Sequence, residues 1–382
     1  MYRYFVLICA VVMQACLGAT YSWSVYVNRL KLLADIGQGT AQLPFTVFYF
    51  TFPATMIIVG NMLHRIGTRR AAVIGGIIFG GGWMIAGWGS LHFAFTILGI
   101  GLLAGIGVGF AYMVPITTSI LWFPRHKGLV TGIAVAGFGG GAALVSLLGG
   151  YLMNTALFTP FETFSTLGLV FLLTVSIAGI FMKVPPGFSF QSTRPLSSSQ
   201  ILRDKTFLLL YSCMFIGLAA GFTVNANLKE LSGIITIETG VLGVSLFAIA
   251  NAAGRVSWGL LFDRIASTTA IRLNLLCQAI LLFAGYWLLR HSYGFLAFAT
   301  FAGFNYGGVL VVYASTVARK WGAEKVGQVY GWLFSANIPA ALAPLLAGIA
   351  YDVTGRFVAP LILLSGTLLF AGTALCRGVK DH

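Results

Sequence analysis

The sequence predicts an all-α membrane protein with twelve transmembrane helices in two six-helix, pseudo-symmetric halves. Three observations predict it. The chain has 382 residues, 58% of them hydrophobic and only 8% charged, where a soluble chain carries about 25% charged residues. Its apolar runs are each long enough to cross a hydrocarbon core, which takes about 20 residues. The second six runs also repeat the first six at one constant offset.

The runs fall near 4–28, 43–63, 71–90, 92–121, 129–153, 163–183, 206–228, 239–262, 268–289, 292–318, 327–350 and 357–376. The first begins almost at Met1, but no small-residue cleavage site ends it and Tyr21-Ser22-Trp23-Ser24 continues it, so it reads as a span and not a secretory signal. Glycines and the prolines Pro53, Pro115, Pro339 and Pro344 are expected to interrupt the helices, which neighbouring spans make tolerable. Between the sixth and seventh runs lies the longest polar stretch, with Pro185-Pro186-Gly187, Ser197-Ser198-Ser199 and Arg203-Asp204-Lys205. It divides the chain into a first half, 1–184, a cytoplasmic linker, 185–205, and a second half, 206–382, with a short surface helix expected near Ile201-Leu202. Cys9, Cys16, Cys213, Cys277 and Cys376 all sit in apolar segments and match neither a disulfide framework nor a metal site. No cofactor is expected.

The net charge of +14 follows topology and does not form one basic patch, so no nucleic-acid partner is expected. With the N-terminus cytoplasmic, the outer loops hold only Arg29, Lys31, Lys229, Arg290 and Arg356, and the remaining loop Lys and Arg residues face inward. This bias places both termini inside a membrane, read as the bacterial inner membrane, and requires an even number of spans. The chain is read as a monomer in the bilayer.

Shifting the sequence by 199 residues superposes Gly18 on Gly217, Gly60 on Gly259, Arg65 on Arg264, Gly109 on Gly308, Trp122 on Trp321, Gly128 on Gly327, Gly132 on Gly331 and Gly149 on Gly348. With 48 glycines some matches arise by chance, but a shared Trp and a shared loop Arg at the same offset are harder to obtain that way. Two parallel six-span repeats put a substrate site near the membrane midplane, opened alternately to the two sides.

Arg255 is a charged side chain in the middle of the eighth run. A cation there costs roughly 2.5–3.5 kcal/mol on insertion scales, so it is kept facing a polar interior or a partner. The next acid, Asp263, lies about 12 Å further along the helix, at its end, which puts Arg255 near the middle of a core about 30 Å thick. No Asp or Glu shares the interior of its span, which predicts an anion arriving from outside. The alternative is a structural arginine bonded to helix carbonyls. A guanidinium presents a planar fork that pairs bidentately with a carboxylate. Asn251, one turn earlier on the same face, is placed to orient Arg255 without adding charge.

The loop after the second run, Gly60-Asn61-Met62-Leu63-His64-Arg65-Ile66-Gly67-Thr68-Arg69-Arg70, resembles the signature loop of the major facilitator superfamily. Its second-half copy is Gly259-Leu260-Leu261-Phe262-Asp263-Arg264-Ile265-Ala266. His64 stands where the first copy should have an acid; in the second, Ala266 replaces the second Gly and the trailing basics are missing. In that family the loop helps to lock the cytoplasmic side. The resemblance therefore implies the major facilitator fold, with Gly60, Arg65, Gly67, Arg69, Arg70, Gly259, Asp263 and Arg264 as gating residues, and a neutral His64 that weakens any charge contact with a helix terminus.

Within the superfamily the chain resembles the oxalate/formate antiporter family, relatives of the monocarboxylate transporters. The residues that carry this are Gly18-Ala19-Thr20-Tyr21-Ser22-Trp23, then Gly105, Gly107, Gly109 and Tyr112 leading into Trp122-Phe123-Pro124-Arg125-His126-Lys127-Gly128, and most specifically Asn251-Ala252-Ala253-Gly254-Arg255-Val256-Ser257-Trp258-Gly259. The resemblance implies that Arg255 binds a substrate carboxylate, and that Tyr21, Tyr112, Phe138, Tyr306 and Phe334 line the cavity, giving apolar faces and hydroxyls. It also places Asn337 where the oxalate-exchanging relative has a Lys. One cation in place of two favours a monocarboxylate. Asn251 takes the place of an acid that couples protons in the animal-type carriers, so exchange of small organic anions is expected ahead of proton symport, with protons as a further partner if symport holds.

A drug or cation exporter would want a buried carboxylate at mid-depth, which the runs lack. The exporter signature in the fifth run is incomplete, with Ala142 for Pro and Val145-Ser146 for a closing Gly pair; close helix packing explains its glycines more simply. A membrane anion sensor is a further alternative. An enzyme is not expected: no Ser/His/Asp set or nucleotide loop appears, and Gly105-x-Gly107-x-Gly109 lies inside a run and not after a strand.

Overall fold

The computed structural model describes residues 2–188, 196–228, 231, 236–354 and 357–373. Lys229 and Arg356 of the outer loops, Arg194, Arg377 and Lys380 among the residues read as inward-facing, and Cys376 lie outside those residues. Among the described residues the structure is helices joined by turns and loops, with no strand. Eleven helices are long and apolar enough to cross a membrane: spans 1 to 11 at Tyr2–Ser22, Gly39–Ile66, Thr68–Ser90, Ala94–Trp122, Lys127–Asn154, Pro160–Ile180, Lys205–Ala226, Glu238–Arg264, Ser267–Leu288, Ser292–Lys320 and Ala323–Tyr351. The twelfth expected span, 357–376, is represented by the shorter apolar helix Val358–Thr373, and residues 374–376 lie outside the described residues.

Helix starts follow local chemistry. Span 6 opens with a capping box, Thr159 accepting from the Glu162 amide while Glu162 accepts from Thr159, and with Pro160 in the first turn. Asp204 caps span 7 and Thr236 caps span 8. The short helix Ser198–Arg203 is present before span 7, capped by Ser197 and Gln200 and anchored by the buried Ile201.

The expected breaks are real in three spans. Span 1 tightens to a 3-10 turn at Gly18–Ser22 before continuing as Ser24–Leu33. Span 4 widens to a π-helix at Ile97–Leu103 and breaks again at Tyr112, three residues before Pro115. Span 11 splits into Val326–Phe334, Asn337–Ala340 and Ala343–Thr354, with Pro339 and Pro344 in the later pieces. Such irregular turns inside membrane helices mark hinges and functional sites. Pro53 behaves otherwise: span 2 runs unbroken through it and through Pro44, a single missing N–H being bridged by the bonds on either side.

The chain divides into two compact units. The first holds Met1–Pro124, Ile133–Pro195 and Ala323–Trp332; the second holds Arg125–Gly132, Leu196–Gly322 and Leu333–His382. The start of span 5 thus belongs to the second unit and the start of span 11 to the first.

Glycine packing builds both units. In the first, a Cβ at Gly18 would overlap the Phe138 carbonyl, one at Gly141 the Ala15 carbonyl, and one at Gly137 would come within 2.7 Å of the Val11 carbonyl. These contacts seat span 1 against span 5, the small-residue packing expected of the span 5 glycines. Gly105 and Gly109 of span 4 likewise leave room for Thr51 and Thr55 of span 2. In the second unit, Gly254, Gly303 and Gly307 interlock spans 8 and 10 on the carbonyls of Phe304, Phe247 and Asn251.

Candidate functional site

In the second unit, span 8 carries Asn251 and Arg255 one turn apart, both 8% exposed. The Arg255 Nε donates to Asn251 Oδ1 at 3.0 Å. This bond orients the guanidinium through a neutral amide, which adds no charge of its own. The backbone beneath is held by two glycines. A Cβ at Gly132 of span 5 would overlap the Arg255 carbonyl, and one at Gly307 of span 10 would overlap the Asn251 carbonyl and lie 3.1 Å from the Arg255 amide. Helices therefore approach the arginine's main chain from two sides, closer than any larger residue permits.

Tyr306 precedes Gly307. Its ring rests on Gly221 of span 7, where a Cβ would overlap it, and meets the rings of Phe222 at 5.9 Å and Phe247 at 6.1 Å. A buried amide pair of span 9 supports span 10: Asn274 Nδ2 donates to the Asn305 carbonyl at 2.9 Å and Gln278 Nε2 to Asn274 Oδ1 at 2.9 Å. Phe334 and Asn337 belong to the second unit as well. Both are buried at the break in span 11, where Asn337 Nδ2 donates to the Phe334 carbonyl at 2.7 Å. The amide thus satisfies a carbonyl that the helix break would otherwise strand.

The first unit gathers the other expected aromatic residues. Phe138 lies edge-on to Tyr21 at 5.1 Å and to Tyr112 at 5.3 Å. Tyr21 is 37% exposed, while Phe138 and Tyr112 are buried. Span 2 extends this cluster with residues not singled out from sequence: Phe52 meets Tyr112 at 5.2 Å, and Tyr49 meets Tyr21 at 5.6 Å and Phe45 at 4.7 Å. Their signal was available, because Phe45, Phe48, Tyr49 and Phe52 fall on one helical face. Gln14 of span 1, fully buried, donates from Nε2 to the Tyr112 carbonyl at 3.1 Å and holds the break in span 4.

Of the expected gating residues, Asp263 makes the decisive contacts. Its carboxylate accepts from the Gly128 amide at 2.8 Å and the Leu129 amide at 2.9 Å, in the first turn of span 5. An anion on those amides complements the positive helix N-terminus. Gly259 and Gly128 touch backbone to backbone beside it. Lys127 donates to the Ala318 carbonyl at 3.1 Å, and Arg319 ties the end of span 8 through the Phe262 and Ile265 carbonyls at 2.8 Å each. Gly67 turns the chain between spans 2 and 3 at φ 79°, a conformation that favours glycine. Arg65, Arg69, Arg70 and Arg264 are exposed.

A buried charge within a span, helices interlocked through glycine and irregular turns inside spans describe a polytopic membrane protein. The sequence profile of the Major Facilitator Superfamily matches residues 4–344, and the chain belongs to that family. It is similar to the oxalate:formate antiporter of Oxalobacter formigenes, at 25% identity over 89% of this chain and 82% of that one. It is also similar to the apicoplast pyruvate carrier 1 of Toxoplasma gondii, at 25% identity over 87% of this chain and 80% of that one. The solved structure of the E. coli fucose:proton symporter has the same fold, with a TM-score of 0.76 at 13% identity over 99% of this chain and 98% of that one.

Proposed function

We propose that this transporter is a secondary carrier of small monocarboxylates, that Arg255 holds the substrate carboxylate, and that it works by exchanging one anion for another. The observation that carries the reading is the buried Arg255 oriented through Nε by Asn251. A guanidinium fixed in this way can present its Nη edge to both oxygens of a carboxylate. Relatives whose names give oxalate, formate and pyruvate as cargo support the substrate class. The two six-span halves, 1–184 and 206–382, would turn about the linker 185–205 in a bacterial inner membrane, with both termini cytoplasmic and the carrier a monomer.

The test is uptake by proteoliposomes of labelled mono- and dicarboxylates, with Arg255→Lys and Arg255→Gln alongside the parent. Lysine keeps the charge but loses the fork; glutamine loses both. A charge-assisted hydrogen bond contributes about 1.5–3 kcal/mol, so each variant should lose about tenfold or more in transport while still inserting. Parent-level transport of every substrate by well-expressed Arg255→Gln would remove Arg255 from the mechanism.

A further inference from the structure

The 199-residue repeat recurs as contacts. In the second unit Gly259 of span 8 touches Gly128 of span 5, and the Arg255 carbonyl faces Gly132. In the first unit Gly60 of span 2 touches the Gly327 carbonyl of span 11, and a Cβ at Gly331 would lie 2.8 Å from the Met56 carbonyl. Each residue of the second set stands 199 positions from its counterpart in the first. The two crossings are one design built twice, once where span 5 begins and once where span 11 begins.

Their polar chemistry differs. The first of these crossings is fastened by a carboxylate, Asp263, on the amides of Gly128 and Leu129. In its copy the residue in the place of Asp263 is His64, which has no carboxylate to offer Gly327 and Gln328. A different bond is found there: Gln328 Nε2 donates to Asn61 Oδ1 at 2.9 Å. At the matching positions the carboxylate crossing has Leu129 and Leu260, which can make no such bond. The amide pair therefore occurs only in the copy that lacks the acid. Asn61 is itself steadied by donating from Nδ2 to the Ile57 carbonyl at 2.9 Å, so its Oδ1 is presented in a fixed direction.

We propose that the Gln328–Asn61 bond is the second inner clasp of this transporter, standing in for the carboxylate that His64 lacks, and that Asn61 and Gln328 position the start of span 11 during transport. The inference rests on the transporter reading and not on the identity of the substrate. It makes the two clasps unequal: one is an anion on helix amides, the other a neutral pair of side chains. Restoring an acid at position 64 should make the amide pair dispensable.

The test is amide hydrogen exchange of the full-length protein in nanodiscs, followed by mass spectrometry. Asn61→Leu and Gln328→Leu install the leucines of the other crossing. Each should speed exchange over residues 326–332 by about fivefold, the factor that one hydrogen bond of ordinary net strength provides. Exchange over 127–132, held by Asp263, should stay unchanged. The double variant should be no faster than either single one, since both remove the same bond. Adding His64→Asp to Gln328→Leu should return exchange over 326–332 to the parent rate. Unchanged exchange in both single variants, or additive effects in the double, would overturn the clasp; failure of His64→Asp to rescue would overturn its role as a stand-in. None of these readouts needs a transported substrate, so they stand or fall separately from the monocarboxylate reading.

Discussion

Asn337 shows what a single side chain can decide. It is buried, and its Nδ2 is committed to the Phe334 carbonyl at the break in span 11. A lysine at this position would lose that bond and bring a second cation into the second unit, which also holds Arg255. Two carboxylates need two neutralising charges where the dielectric is low. Asn337→Lys should therefore shift competition toward dicarboxylates such as oxalate and weaken monocarboxylate transport, read by inhibition constants across a panel of acids. An unchanged ranking would mean that residue 337 acts only as the local helix cap. The contact between Arg255 and Asn251 was legible in the sequence because an intramembrane charge is rare and a residue four positions away on a helix shares its face. The Asn337–Phe334 bond and the Gln14 bond to the Tyr112 carbonyl were not, because both depend on where a helix loses its regular bonding, and spacing alone does not show which carbonyl is left over.

At the scale of elements, the candidate site depends on how closely helices can approach the Arg255 backbone. Gly307 of span 10 sits against the Asn251 carbonyl, and a Cβ there would overlap it. The obstacle is backbone and not a mobile side chain, so span 10 must move away from span 8 to admit even one methyl group. Overpacking of this kind costs typically 1–3 kcal/mol. Gly307→Ala should lower both thermal stability and apparent substrate affinity, because the displaced turn carries Tyr306 and faces Asn251. Gly348→Ala is the control: a Cβ there meets nothing within 4 Å, so stability and transport should hold. If the two variants behave alike in a thermal-shift and transport comparison, glycine packing does not set the site. The offset of 199 made part of this readable: it paired Gly60 with Gly259, and Gly128 with Gly327, before any contact was known. It did not reveal that span 1, span 4 and span 11 are broken while spans 7, 10 and 5, their repeats, run through. A shared glycine pattern does not encode those breaks, and proline alone predicts them poorly: span 1 breaks without a proline, while Pro53 breaks nothing.

For the whole molecule, the governing quantity is the net charge carried through the transport cycle. The sequence places no Asp or Glu in the interior of any span, and Asn251 contributes a dipole and not a charge. On the proposed function, the empty transporter carries the charge of Arg255 within span 8, and in the transporter loaded with a monocarboxylate that charge is neutralised. A central cation costs roughly 2.5–3.5 kcal/mol on insertion scales. If about 1.4 kcal/mol of that is felt at the barrier to reorientation, the empty form turns over about ten times more slowly than the loaded one. Moving that charge across part of the membrane potential also makes the empty step voltage-dependent, at up to about 2.3 kcal/mol per 100 mV for a full crossing, while the loaded step is electrically silent. Two results should follow in proteoliposomes. Efflux of preloaded labelled monocarboxylate should rise several-fold when unlabelled substrate is supplied outside, and a membrane potential should alter net efflux while leaving exchange almost untouched. A proton gradient should act only through the driving force on the acid or its protonation. Equal efflux with and without external substrate, together with strong uphill uptake driven by a proton gradient, would show that a proton neutralises the return step and that the carrier is a symporter.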